Sequence, residues 1–187
     1  MSDFLDLQKA IRACGTCQFN KHRDVRYTGG AGTDFRVMFV AESPSTAGGT
    51  GILDPDLNFT RTPRDRLFFE ARNRIGLENC YITDLVKCGI PNGKPSLHKL
   101  DSCIEYLREE IRIVAPKVIV AVGKSISFQD GATRITYDYQ AFLRQRLGET
   151  IPICWIYHYA WIYRYKRNDP EMMRIFYQQF AKILRYL

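Results

Sequence analysis

The sequence lacks the features of membrane, secreted and repetitive proteins. None of its apolar runs approaches the ~18 residues that a membrane-spanning helix requires. Its polar, amphipathic start (MSDFLDLQKAIRACG) has neither the charged beginning nor the apolar centre of a signal peptide. No repeat, low-complexity tract or break in composition divides the 187 residues, a length that suits one domain. We therefore expect a single domain over residues 1–187, located in the cytoplasm in association with the prokaryotic nucleoid, with no membrane partner.

Acidic residues are also comparatively few. Lys and Arg total 27 against 20 Asp and Glu, which gives a net charge of +7. A basic surface attracts polyanions such as nucleic acid, although many basic proteins bind none. Hydrophobic residues make up 45% of the chain, so the composition is that of a folded protein rather than a disordered one. The charge indicates a nucleic-acid partner without establishing it.

Four short apolar runs, rich in Val, Ile and aromatic residues, predict the buried strands of a parallel sheet. Helical patterns lie between and after them. The predicted strands are 35–41, 80–86, 117–122 and 152–157, and the predicted helices are 64–75, 97–114, 139–147 and 171–187. This alternation predicts an α/β fold with three α/β/α layers around a four-stranded parallel sheet. The Gly/Pro/Asp-rich stretch 46–58 is long enough to be a functional loop.

Polar and aromatic residues follow each predicted strand. In an open parallel sheet, ligands bind at the carboxyl ends of the strands. Each residue alone has an ordinary structural explanation, but four such groups at one edge predict a site. In strand order they are Glu42 and Ser43, then Asp84 and Lys87 near the end of the second strand, then Lys124 and Ser125, and finally His158, Tyr159, Ala160 and Trp161.

A nucleotide-binding loop is excluded at the third of these positions. Gly123, Lys124 and Ser125 resemble the end of the phosphate-binding pattern G-x-x-x-x-G-K-S. That pattern requires a glycine at position 118, which is Val118. We therefore do not expect an NTPase.

Six cysteines give the sharpest signal. In a reducing cytosol they are expected to be ligands or small core residues rather than disulfides. Cys14 and Cys17 form C-x2-C, and Cys88 and Cys103 form C-x14-C. Four thiolates can hold zinc or a 4Fe–4S cluster, and the spacing does not choose between them. The other two, Cys80 and Cys154, lie inside apolar runs and are expected in the core.

Together these motifs resemble the iron–sulfur uracil-DNA glycosylases, family 4 of the uracil-DNA glycosylase superfamily, from Cys14 to about Arg164. The family's opening C-x2-C is present. Its later motifs are G-E-x-P-G, a Pro-Phe segment, Y-I-T-N-x-V-K-C, P-K-V-I-V-x-x-G and H-P-S or H-P-A. The corresponding segments here are 41–45, 58–59, 81–88, 116–123 and 158–160.

The resemblance implies a monofunctional, monomeric DNA glycosylase of base excision repair that acts on a flipped base in single- or double-stranded DNA. It also implies a structural 4Fe–4S cluster and a role for each motif residue. The implied cluster ligands are Cys14, Cys17, Cys88 and Cys103. The implied catalytic residues are Glu42 at the sugar and water, Ser43 at the water, and His158 at a base carbonyl. The implied base contacts are Phe59, Asp84 and Ala41, and the implied DNA contacts are Arg164, Lys166, Arg167, Lys124 and Ser125.

Four positions depart from the family pattern. Ala41 and Ser45 replace glycines, Tyr159 replaces proline, and Asp84 replaces the asparagine that reads the base. An ionised aspartate only accepts hydrogen bonds, so it suits a base edge with two donors, such as N3-protonated cytosine or a purine. A protonated Asp84 can still read uracil, provided that its pKa is raised.

Other classes of protein stay open at this point. The altered motifs favour a non-catalytic module that binds a base or an abasic site, whereas Glu42 and His158 together favour an enzyme. An iron–sulfur redox protein is a weaker alternative, because its cysteines normally lie closer together.

Overall fold

A four-stranded parallel sheet forms the centre of the protein. The computed structural model describes residues 2–16, 32–44, 63–89, 96–97, 100–130 and 132–187. The sheet has the spatial order β2-β1-β3-β6, beside an antiparallel pair β4-β5. The strands are β1 (Asp34–Ala41), β2 (Cys80–Asp84), β3 (Val118–Val122), β4 (Ser125–Asp130), β5 (Thr133–Asp138) and β6 (Ile153–Ile156).

Helices cover both faces of this sheet. They are α1 (Ser2–Ala13), α2 (Pro63–Asn73), α3 (Asp101–Val114), α4 (Tyr139–Leu147), α5 (Tyr159–Trp161) and α6 (Pro170–Ile183). A π-helical segment (Ile162–Lys166) follows α5, and a 3-10 turn (Leu184–Tyr186) follows α6. The predicted α/β fold with a four-stranded parallel sheet is confirmed. None of the described helices is both long and apolar enough to cross a membrane.

The two faces of the sheet bury separate apolar clusters because side chains alternate along each strand. On one face, Phe39 of β1 packs against Phe68 of α2 at 5.3 Å between ring centroids. Phe180 of α6 lies 5.7 Å from Phe68 in the same cluster. On the other face, Met38 of β1 packs with residues of α3 and α4, including Leu107. All residues of β2 and β3 are buried, which explains their continuous apolar runs.

Most predicted elements are confirmed with small shifts of their ends. Helix α4 has the predicted bounds, and α6 begins one residue early, at Pro170, where the Asp169 carboxylate accepts from the Met172 amide at 3.1 Å. Strand β2 ends at Asp84 rather than at residue 86, because the chain bends there. Helix α3 begins at Asp101, four residues later than predicted.

The β4-β5 pair and α1 are the largest parts of the described fold that were not predicted. The β4-β5 pair has the alternating polar and apolar pattern of half-buried strands, as in Thr133–Asp138 (TRITYD). Phe128 of β4 anchors the pair against Phe142 of α4, at 5.0 Å between ring centroids. The amphipathic N-terminus forms α1, which packs on α3.

Candidate active site

A cavity of about 190 Å³ opens at the carboxyl edge of the sheet. The register of β1 and β2 sets Ala41 opposite Asp84, so the ends of these two strands meet at the cavity. His158 reaches it from the end of β6. The full lining is Ala41, Ser43, Pro44, Arg64, Asp84, His158, Tyr159 and Ala160. The structure therefore brings together four of the predicted site residues, Ala41, Ser43, Asp84 and His158.

Glu42 lies beside this cavity rather than in its lining. It is half-buried, and its backbone carbonyl accepts a hydrogen bond from the Val86 amide at 3.0 Å. Its carboxylate is close enough to Asp84 to raise the pKa of that residue. The two carboxyl groups thus share one region, as the positions after β1 and β2 predict.

Asp84 is 4% exposed, and its environment favours the neutral acid. Burial raises its pKa to about 7, because a buried carboxylate loses its hydration. The Lys87 ammonium opposes this shift, whereas the carboxylates of Glu110 and Glu42 add to it. With this pKa, Asp84 titrates near neutral pH.

A buried ion pair supports the backbone of Asp84. Lys87 is 3% exposed and Glu110 is not exposed, and Lys87 Nζ lies 2.7 Å from Glu110 Oε2. The same ammonium donates to Thr83 Oγ1 at 2.9 Å and to the Asp84 carbonyl at 2.6 Å. Thr83 in turn donates to Glu110 Oε2 at 2.8 Å. Because an ammonium has three donors, these contacts use all of them and hold the end of β2 in place.

A local hydrogen bond sets the orientation of His158. Its Nδ1 accepts from the Ala160 amide at 3.2 Å, so the side chain caps α5. The neutral imidazole then carries its proton on Nε2, which makes Nε2 the donor. The ring stacks on Tyr159 at 4.7 Å between ring centroids. Gly123 passes close by with φ of 128°, where a side chain would be strained, and a Cβ there would lie 3.9 Å from His158 Cδ2.

Sequence reasoning missed Tyr139 and Arg64, whereas it placed Tyr159 at this edge, directly after His158. Tyr159 is 7% exposed and packs against Phe68 at 5.4 Å between ring centroids. The Tyr139 hydroxyl donates to the Ala41 carbonyl at 2.9 Å and braces the end of β1. Arg64, at the start of α2, enters the cavity wall. Its Nε is buried and makes no hydrogen bond within the described part of the chain.

The predicted DNA-contacting residues lie outside the cavity lining. Lys124 and Ser125 are exposed and directly follow Gly123. Arg164 and Arg167 are exposed in and just after the π-helical segment, and Lys166 is half-buried with its Nζ 3.8 Å from Asp169 Oδ2. Phe59 and the stretch 46–58 lie outside the described residues.

The packing of two helices places two of the predicted cluster ligands, Cys14 and Cys103, towards the same end of the helix pair. Helices α1 and α3 run antiparallel, because Asp3 pairs with Arg112 at 3.1 Å while the Ala10 carbonyl accepts from the Tyr106 hydroxyl at 3.3 Å. The end of α1, where Cys14 follows, therefore lies towards the beginning of α3, which carries Cys103. No three His, Cys, Asp or Glu side chains in the described ranges form a ready metal site. Cys17 lies outside those ranges.

The remaining two described cysteines lie within strands. Burial raises the pKa of Cys80 to about 12 and that of Cys154 to about 11. Both therefore remain thiols at neutral pH in the protein without a bound metal. This agrees with their predicted place in the strands. Cys88 and Cys103 are 5% and 8% exposed.

Comparison with known proteins identifies the family. The family model "Uracil DNA glycosylase superfamily" matches residues 29–182. A type-4 uracil-DNA glycosylase of Archaeoglobus fulgidus is 27% identical over 98% of this chain and 92% of its own length. One of Pyrobaculum aerophilum is 31% identical over 64% of this chain, and the match spans 61% of that relative. The chain belongs to the uracil-DNA glycosylase superfamily.

The raised pKa of Asp84 predicts how its substitution alters stability. A folded-state pKa of about 7 against 3.8 means that the folded state binds the proton more tightly, so stability falls as pH rises through this window. Asp84→Asn removes this loss. We therefore compare the free energy of unfolding of the variant with that of the parent at each pH, by denaturant titration. The variant minus the parent should be more positive at about pH 8 than at about pH 5, by about 2–3 kcal/mol.

Asp34→Asn is the control, because the pKa of Asp34 is shifted in the opposite direction from that of Asp84. Hydrogen bonding to Arg36 lowers the pKa of Asp34 to about 2, so its stabilising effect is complete above the unfolded-state value. The difference of this variant from the parent is therefore constant between the same two pH values. An equally constant difference for Asp84→Asn would show that Asp84 ionises normally.

Proposed function

We propose that the protein is a monofunctional DNA glycosylase of base excision repair, which hydrolyses the N-glycosidic bond of uracil or a closely related base in DNA. The observation that best supports this function is that His158, a hydrogen-bond donor, and the carboxyl group of Asp84 line the same cavity. The relatives named as type-4 uracil-DNA glycosylases support uracil as the substrate.

The proposed reaction begins when the target base leaves the stack, which costs a few kcal/mol and least in a mismatch or a single strand. Breaking the bond leaves negative charge on the base and positive charge on the sugar. His158 Nε2 donates to a base carbonyl and stabilises the departing anion. The Glu42 carboxylate stabilises the sugar cation or orients the attacking water, and Ser43, in the cavity lining, positions that water.

Protonated Asp84 has the hydrogen-bonding pattern of the asparagine that it replaces. Its hydroxyl donates to O4 of uracil, and its carbonyl oxygen accepts from N3–H. With a pKa of about 7, close to half of the molecules carry this proton at neutral pH. The ionised form repels O4 and favours a base edge with two donors. Protonation of Asp84 therefore decides which base is accepted.

We further propose a structural 4Fe–4S cluster on Cys14, Cys17, Cys88 and Cys103. The antiparallel packing of α1 and α3 supports this ligand set, because it orients Cys14 towards the end of α3 that carries Cys103. Cys80 and Cys154 are left out of this set because they lie within strands β2 and β6. A cluster at these positions would tie the N-terminal helix to the segment after β2.

The excision activity is tested by a single-turnover assay. Labelled oligonucleotides carry uracil, hypoxanthine, xanthine or cytosine, single-stranded or in mismatches, and alkali cleaves the abasic product. We expect uracil excision by the parent and a rate lower by roughly 10²–10³ in His158→Ala, which removes one donor to the developing anion.

Tyr186→Ala is the matched control, because this exposed tyrosine lies in the 3-10 turn after α6, outside the cavity lining. Its excision rate should equal that of the parent. Excision of another base alone would assign the specificity to ionised Asp84. If the folded protein excises no base, the enzyme hypothesis is wrong and a base-binding module takes its place.

The cluster is tested by colour and metal content. Protein purified without oxygen should be yellow-brown and contain about four iron atoms and four sulfides per chain. Cys103→Ser should lose both colour and iron, whereas Cys154→Ser should keep them because Cys154 lies within β6 and is not one of the proposed ligands. One zinc per chain in a colourless protein would contradict the iron–sulfur assignment.

A further inference from the structure

Four aromatic rings form a continuous stripe beside the cavity. This aromatic stripe consists of Trp155, Tyr157, Trp161 and Tyr165. Trp155 contacts Tyr157 edge-on at 5.0 Å between ring centroids, and Tyr157 stacks on Trp161 at 5.4 Å with an interplanar angle of 24°. Tyr165 continues the row 6.5 Å beyond Trp161. The rings thus lead outward from strand β6 along α5 and the π-helical segment.

The outer end of the stripe is exposed to solvent. Trp161 is 39% exposed and Tyr165 is 63% exposed, while Trp155 and Tyr157 are half-buried. Trp161 and Tyr165 are four residues apart and therefore project from the same side of the helical turn. Adjacent exposed aromatic rings at the rim of a functional cavity are typical of an interaction surface.

One cation contacts the exposed end of the stripe, and two more lie close to it in the chain. The Arg164 guanidinium lies 5.9 Å from the centroid of Tyr165. Arg167 packs instead on the half-buried Tyr163, outside the stripe, and Lys166 pairs with Asp169 at 3.8 Å. Aromatic faces interleaved with cations are the combination that binds single-stranded nucleic acid, because bases stack on the rings while cations attract the phosphates.

The stripe is continuous in the chain with the cavity lining. Tyr157 directly precedes His158, and Trp161 directly follows Ala160, and both His158 and Ala160 line the cavity. None of the four rings lines the cavity itself, so the stripe would contact the neighbours of a nucleotide that is held there. A paired strand presents few base faces there, since its bases stack on each other.

We infer that the aromatic stripe is a stacking platform for the unpaired bases beside the target nucleotide, so that the protein binds single-stranded DNA even without damage. This inference depends on the proposed function in one respect only, namely that the cavity holds the target nucleotide. The strand partner is recognised by base faces and phosphates, not by base identity.

Binding to undamaged DNA tests the inference separately from catalysis. The chain has two tryptophans, and both belong to the stripe. Adding an oligothymidine of about a dozen nucleotides, a length within known site sizes, should quench the tryptophan fluorescence of the parent protein. Fluorescence anisotropy of the labelled oligonucleotide then gives its affinity for each variant.

Trp161→Ala and Tyr165→Ala should each weaken oligothymidine binding by roughly 5- to 150-fold, the range measured for loss of one stacked base. Trp161→Phe, which keeps a ring, should retain most of the affinity. Affinity for undamaged duplex DNA should change less than affinity for the single strand. Arg164→Gln should reduce the salt dependence of single-strand binding by about 0.7 in log–log slope.

Phe35→Ala is the control, since Phe35 is 37% exposed and nearly matches Trp161 in exposure, but lies at the start of β1, at the amino edge of the sheet. Absence of binding or quenching in the parent would overturn the inference, as would equal losses in Phe35→Ala or equal losses on duplex DNA. Failure of base excision with intact oligothymidine binding would overturn the proposed function alone.

Discussion

Parallel pairing of the central strands is the constraint on which the site depends. Strands β1 and β2 end together with Ala41 opposite Asp84, and β6 ends at the same edge, just before His158. Residues that are 117 positions apart in the chain, from Ala41 to His158, therefore line one cavity. A sheet buried on both faces has little freedom to change its register, because a slip of one residue would move every side chain to the wrong face.

The burial of Asp84 affects both the stability of the protein and the proposed recognition of the base. The same burial that raises its pKa to about 7 gives the side chain a proton to donate. The buried Lys87–Glu110 pair holds the adjoining backbone and, through Lys87, limits how far the pKa rises. An aspartate at this position thus keeps the hydrogen bonds of an asparagine only while it is neutral. If the cavity holds the target base as we propose, recognition of the base depends on pH in a way that it would not with an asparagine.

Much of this arrangement follows from sequence pattern. The apolar runs predict the four parallel strands, and the rule that ligands bind at carboxyl ends identifies Ser43, Asp84 and His158 before any packing is known. Glu110 and Arg64 were not predictable in this way, because each reaches its place through the docking of a helix. The β4-β5 pair was missed because its strands are half-buried and lack a continuous apolar run. The aromatic stripe was missed because its rings line up only through the direction that the chain takes from β6 into α5.

The most direct test of this account is the pH dependence of single-turnover uracil excision by the parent and by Asp84→Asn. We expect the parent rate, relative to the variant, to fall as pH rises through about 7, because ionised Asp84 rejects O4. The variant keeps a neutral amide at this position at every pH and controls for titration of other groups. Parallel pH profiles for the two proteins would contradict the account, since they would mean that the charge of Asp84 has no part in reading the base.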